Sequence, residues 1–240
     1  MVEPSKRVGA AWQGQLRLGD CWASWRGDIG DGTFHRHFAA QAVIADRAVR
    51  VLDLNGRYVQ AECVLIDPLV THRIEAGRNA LLIYVEPGKH IDAIAEGLLG
   101  CVRSASSFAM LSSPERYRFW AAWLTKPPSV RHVTDPRLTA ALAHIESALV
   151  FGAVPLQTAA ARAGLSPDRF RHLFAEELGF PYKRYVLWRR LRLATLEVMS
   201  GHDVTTASHA AGFSDAAHFA RTLRSTFGVT ASQALLGRSL

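Results

Sequence analysis

A chain of 240 residues, 49% hydrophobic and 20% charged, is long enough for one large core or two modest ones, and two domains fit it better. Its cysteines, Cys21, Cys63 and Cys101, form no CxxC pair, which excludes a zinc ribbon and a disulfide framework. No stretch approaches the roughly 20 apolar residues of a membrane span. The net charge of +7 is uneven: residues 130–240 hold 13 Lys and Arg against 8 Asp and Glu, whereas residues 1–129 hold 15 against 13, so an anionic partner is expected at the C-terminal half.

The first twenty residues carry no apolar signal segment, which points to a cytoplasmic protein. Between Gln41 and Glu86 short runs rich in Val, Ile and Leu flank an Asn55-Gly56 pair, the local signature of a hairpin. An antiparallel sheet is expected there, rolled into a barrel or a sandwich. Pro87-Gly88 ends it, and the helical spacing of Ile91, Ile94, Ala95, Leu98, Leu99 and Val102 then gives a helix with one apolar face. A second helix is expected over roughly Pro114 to Leu124. Lys126-Pro127-Pro128-Ser129 reads as a linker, which divides the chain into domains 1–128 and 129–240. Beyond it the pattern is helical throughout, opening with Asp135 as an N-cap and Pro136 at the first helical position.

One small pattern occurs twice in the second domain, around Gly164-Leu165-Ser166 and, 48 residues on, around Gly212-Phe213-Ser214. In the first copy Phe170, Leu173, Phe174 and Leu178 form one helical stripe, with Asp168, Arg171, His172 and Ala175 opposite. In the second, Phe219, Leu223 and Phe227 turn inward, and Ala217, Arg221 and Arg224 turn outward. A small residue four positions before each glycine, Ala160 or Ser208, admits a close preceding helix, and the glycine permits a sharp turn, so each copy reads as a helix-turn-helix. Between them lies a basic helix bearing Lys183, Arg184, Arg189, Arg190 and Arg192. A helix of about 18 residues spans ~27 Å, near the ~34 Å between major-groove openings on one face of B-DNA. Its arginines are expected to be solvated or structural more than DNA contacts.

From about Leu156 to Leu235 the chain resembles the DNA-binding domain of AraC/XylS-type transcription regulators. The resemblance rests on Gly212, Phe213, Ser214, Asp215, Phe219, Arg221, Leu223, Arg224, Phe227, Gly228, Val229 and Thr230, with Tyr185, Arg190, Leu191 and Ala194 in the linker helix. Ala231, Ser208 and Leu223 depart from the family's usual proline, alanine and phenylalanine. The resemblance implies that Asp168, Arg171 and His172, with Arg169 beside them, face bases in one groove. Ala216, Ala217 and Arg221 do so in the next, flanked by His218, and Arg224 is a phosphate ligand. Arg221 suits bidentate pairing with guanine, whereas the two alanines offer only apolar contact.

In the first domain Phe34-His35-Arg36-His37-Phe38 and His72 resemble the two half-motifs of cupin barrels, the sensor fold common in such regulators. The expected fold is therefore α+β: an N-terminal cupin-like antiparallel β-barrel with flanking helices, and a C-terminal all-α domain of two helix-turn-helix units joined by a linker helix. Histidines two apart on a strand share a face, and a third from a neighbouring strand completes a potential metal set. Gln41, however, stands near the place of the usual glutamate, and a neutral amide is a poor ligand. His35, His37 and His72 are accordingly assigned to an effector pocket or to local hydrogen bonds, and no metal, cofactor or catalytic residue is assigned. Trp12, Trp22 and Trp25 are expected in the core or the domain interface, with pocket walls as the alternative.

The reading is of a bacterial transcription regulator, an activator, with double-stranded promoter DNA, a small-molecule effector, RNA polymerase and a second copy of itself as partners. The apolar face at Ile91, Ile94 and Leu98 is expected to form the dimer seam, as the resemblance implies, or else to cover the barrel. A metal-dependent cupin enzyme with an accessory helical domain is the alternative, and a non-specific nucleic-acid packaging protein is a third.

Overall fold

The computed structural model describes residues 12–30, 32–87, 93–112, 118–125, 135–152, 154–179 and 181–230. The expected linker at 126–129, with the domain boundary inside it, and the expectations at Ile91 and Ala231 lie outside these residues.

The first domain is a seven-stranded sheet: β1 (Gln13–Leu18), β2 (Trp22–Ile29), β3 (Ala40–Asp53), β4 (Tyr58–Ile66), β5 (His72–Ile74), β6 (Gly77–Val85) and β7 (Phe108–Leu111). The order is β1-β2-β6-β3-β4-β7, with β5 paired to the far end of β3, so β1 and β7 are its edges. The Asn55-Gly56 turn joins β3 to β4 as expected, tightened by the Asp53 carboxylate, which accepts from the Asn55 and Arg57 amides at 2.8 and 2.9 Å. A bulge between Ile44 and Val49 bends β3, so its first half pairs β6 and its second half pairs β5.

Six strands are antiparallel; β7 is a correction to the all-antiparallel expectation, since it lies parallel to β4. The reason is topological. β4 and β6 both oppose β3 and so share a direction, and the crossover through α1 (Ala93–Arg103) returns the chain to enter β7 in that same direction.

Alternation along β6 divides the interior. Leu81, Ile83 and Val85 face α1 and α2 (Phe119–Thr125), meeting Leu99, Val102, Trp120 and Trp123, whereas Ala80, Leu82 and Tyr84 face the other way and join the core shared with the helices of the second domain. Trp120 pins α2 to the sheet, its indole N–H donating to the Ile66 carbonyl at 3.0 Å. The apolar face of α1 is used in covering the sheet through Ala95, Leu99 and Val102, while Ile94 remains 53% exposed.

The second domain comprises α3 (Pro136–Leu149), α4 (Leu156–Arg162), α5 (Pro167–Leu178), α6 (Tyr182–Met199), α7 (Val204–Ala210) and α8 (Ala216–Phe227). Asp135, Ser166, Asp203 and Asp215 each accept from an amide in the first turn, of which the Asp135 cap was legible in the sequence, whereas α4 and α6 start after Pro155 and Pro181 with no side-chain cap. Gly164 and Gly212 take positive φ, 63° and 77°, at the turns of the α4–α5 and α7–α8 pairs. Ala160 and Ser208 are fully buried where the helices cross, and the Ser208 hydroxyl is satisfied by the Val204 carbonyl at 2.6 Å. The N-terminal half of α6 packs through Tyr182, Tyr185, Val186 and Trp188 into the shared core. Its C-terminal half packs through Leu191 and Ala194 against Phe213, Phe219 and Leu223 of the second unit. One 18-residue helix thus joins both units.

Candidate functional site

On α5, Phe170, Phe174 and Leu178 are buried and Leu173 is half-buried. Asp168, Arg169, Arg171 and His172 are exposed together on the opposite face. Arg171 pairs with Asp168 at 2.9 Å, one turn apart, a bond too exposed to hold the guanidinium against a better acceptor. On α8, Ala217, Arg221 and Arg224 are exposed and Ala216 is half-buried. His218 is half-buried with its ring edge-on to Phe213 and its Nδ1 3.1 Å from the Ser214 hydroxyl, so it supports the helix start. The His218 amide, the Ser214 hydroxyl and, more weakly, Arg221 hold the Asp215 carboxyl below the usual carboxylate range. Each helix-turn-helix therefore offers a solvated face at the start of its second helix.

The linker arginines divide. Lys183 and Arg184 are exposed, whereas Arg189 is buried, reaching the Glu86 carboxylate at the end of β6 at 3.0 Å and the Glu146 carboxylate on α3 at 2.9 Å. Burial opposes the Arg189 charge, but Glu86, Tyr185 and Glu146 outweigh it and raise its pKa. Trp188 also donates to Glu86, and Tyr185 to Glu146 at 2.7 Å. This cluster ties the sheet to α3 and α6. The sequence carries no sign of it beyond an acid closing an apolar strand, since its partners are 103 residues apart.

Beside the cluster, a cavity of about 90 Å³ lies between the sheet and helices α6 and α8. Trp12, Trp22 and Trp25 supply one wall, and Trp188, Leu223 and Phe227 supply the other, with Arg192 at its margin. Burial and the neighbouring Arg189 lower the Arg192 pKa, and its Nη1 has no hydrogen-bond partner among the described residues.

The three histidines form a layer behind that cavity, screened by Tyr84 and Phe227. Their ring centroids are 4.3 to 5.7 Å apart, and all three are buried. A backbone bridge joins His35 to His72, each amide donating to the other's carbonyl at 2.9 Å. Burial holds His35 down at about 3 and His37 at about 4, and His72 also lies well below the ordinary histidine value, so the rings are neutral near pH 7. The C-terminus of α8 closes the layer: Phe227 stacks on His37 with centroids 6.0 Å apart, and the Gly228 carbonyl accepts from the Thr33 amide at 3.2 Å. That docking was not legible in the sequence.

A helix-turn-helix domain family matches residues 159–236. The transcriptional activator RhrA of Rhizobium meliloti (strain 1021) is 32% identical over 107 residues, 43% of this chain and 34% of that protein, so the chain spans about a third of the length of that relative. The crystal structure of ToxT from Vibrio cholerae O395 superposes with a TM-score of 0.56 at 10% identity, covering 92% of this chain and 99% of that one. The unsaturated fatty acid bound form of ToxT from Vibrio cholerae strain SCE256 superposes equally, over 94% and 98%. At such identity the likeness is one of fold. A doubled helix-turn-helix domain carried on a mixed β-sheet domain is the class these features define. The motif that runs from Gly212 to Thr230 lies inside the matched helix-turn-helix region and resembles that of AraC/XylS-type regulators. Among the described residues no helix is long and apolar enough to cross a membrane.

Proposed function

We propose that this chain is a sequence-specific DNA-binding transcription regulator controlled by a small-molecule effector. The observation that carries the reading is the pair of solvated faces, Asp168, Arg169, Arg171 and His172 on α5 and Ala217, Arg221 and Arg224 on α8, held by one rigid α6. Such faces enter successive major grooves of promoter DNA, with Arg221 reading a guanine and Arg224 gripping phosphate. The relative RhrA is named a transcriptional activator, which favours activation, with RNA polymerase as partner, in the cytoplasm where the DNA lies. A homodimer would use the exposed Ile94 edge of α1.

The effector seat is the tryptophan-walled cavity, and an apolar acid suits it: the walls are mostly aromatic and aliphatic, Arg192 offers a cation, the Glu86 carboxylate in the lining is already matched by Arg189, and ToxT is described with a bound unsaturated fatty acid. A cavity of ~150 Å³ takes a molecule the size of benzene. The present one, about 90 Å³, must widen for any larger ligand, and widening it parts α6 and α8 from the sheet. Effector affinity then differs between the docked and parted arrangements, which is what control of DNA binding requires. His35, His37 and His72 would respond through Tyr84 and Phe227. The enzyme alternative is disfavoured because the histidines are at most 5% exposed, leaving a substrate no approach.

Selection of bound genomic fragments, followed by binding of the recovered site, tests the reading. Arg221→Ala is expected to cost about 1–3 kcal/mol of specific affinity and to relax one base position. Salt-sensitive binding without sequence preference in the unaltered protein would mark a packaging protein instead.

A further inference from the structure

Hydrogen bonding does not account for the buried histidines. Each Nδ1 lies against a backbone carbonyl, of Thr33 at 2.8 Å, Ala39 at 2.8 Å and Val70 at 2.9 Å. A carbonyl only accepts, so each ring keeps its proton on Nδ1 and presents Nε2 as a lone pair. The Nε2 atoms of His35 and His72 have no hydrogen-bond partner among the described residues. His37 Nε2 faces the Gln41 Oε1 at 3.0 Å, one acceptor against another, while the Gln41 amide nitrogen also lacks a partner. Turning the Gln41 amide over would satisfy His37 and leave the other two as they are. One cation would satisfy all three rings.

Ligand atoms of the three histidines lie within 4.8 Å of one another. An ion ~2.0–2.1 Å from each nitrogen in tetrahedral geometry needs them about 3.3 Å apart, a closure within reach of small ring rotations. Imidazole selects zinc, copper, nickel, cobalt or iron over magnesium and calcium, which prefer oxygen. We propose that His35, His37 and His72 bind one divalent first-row transition-metal ion, with the Gln41 Oε1 as a fourth, neutral ligand. The Nδ1 contacts to carbonyls are the outer-shell bonds that orient such ligands, and the rings are already unprotonated near pH 7. Gln41, weighed against a metal in the sequence, thus becomes part of the case for one.

The site also touches the DNA-binding domain. A Cβ at Gly228 would lie 2.5 Å from His35 Nδ1, and Phe227 stacks on His37, so drawing the rings together moves the surface on which α8 ends. Metal content then sets how α8 is seated.

The full chain without a polyhistidine tag, stripped of metal, is titrated with Co²⁺, whose visible absorption reports its coordination. One equivalent is expected to bind with a nitrogen-rich, low-coordinate spectrum and a raised Tm. His72→Ala, its fold checked by circular dichroism, should remove the band and weaken binding by about 100-fold or more, whereas His209→Ala on the surface leaves it intact. Because His72 is buried and its loss can unfold the chain, Gln41→Glu serves as a second variant. It should lower the Tm of the metal-free protein, recover it with Co²⁺ and bind Co²⁺ more tightly. Absence of a bound equivalent in the unaltered protein, or binding indifferent to both variants, overturns the proposal. The readout needs no DNA, so its failure leaves the proposed regulator standing, and loss of DNA recognition would leave the metal site standing.

Discussion

At His37 the surroundings decide the chemistry of a residue whose identity alone says little. Burial, opposed by the contacts to Gln41 and Ala39, holds it at about 4 in the fold against 6.5 in the open chain, and burial holds His35 at about 3. As pH falls through 6.5 the unfolded chain takes up protons at both rings and the folded chain does not. The stability contributed by the neutral rings is therefore complete above 6.5 and declines as pH drops toward 4. The Tm of metal-free protein should fall between pH 7 and 5.5, where carboxylates remain ionised, and a flat profile there would refute the neutral, buried assignment. The exposure of Asp168, Arg171, His172 and Arg221 was legible because it follows from helical periodicity around Phe170 and Phe219. The fate of Arg189 was not, because its charge is matched by carboxylates remote in the chain.

Among the elements, α8 serves two purposes, since its first turns face solvent and its last residue docks on the sheet domain. Gly228 makes the docking possible: its φ is 71°, and an added Cβ would meet His35 and the Thr33 carbonyl. Gly164 has a similar φ of 63° with nothing within 4 Å of such a Cβ. Both Gly164→Ala and Gly228→Ala incur about 1–2 kcal/mol of left-handed strain, and only the second also collides with its neighbours. Thermal denaturation should show the larger loss for Gly228→Ala; equal losses would mean that α8 is not seated on His35. Helix α3 was readable from its Asp135 cap, and α5 and α8 from apolar stripes spanning a few residues each. β7 was not, because four residues carry too little pattern of their own and take their direction from a crossover.

For the molecule as a whole, Arg189 between Glu86 and Glu146 is the buried ionic contact by which the helical domain holds the sheet, beside the shared core and the docking of Phe227. Replacing Arg189 by Met leaves the 2% exposed Glu86 carboxylate without its guanidinium and should cost about 3–5 kcal/mol in chemical denaturation. Adding Glu86→Gln to that variant should restore part of the loss, because no buried charge then remains at that position. Additive losses would place the two groups in separate environments. Since the cluster borders the cavity, the double variant should also dock its domains less firmly, which makes it the natural background in which to test the proposed effector binding.

The sheet between Gln41 and Glu86, the helical second half, the doubled helix-turn-helix and the solvated helix faces were determined by the amino-acid sequence alone, because capping, turns and amphipathic spacing act over a few residues. Only the tertiary structure decided that His35, His37 and His72 are buried with ligand nitrogens within 4.8 Å of one another and Gln41 against His37, and that Arg189 meets Glu86. Those meetings depend on the bulge in β3, on the pairing of β5 with its far end and on the packing of α6 across the sheet, and burial then magnifies electrostatic consequences that no local pattern encodes.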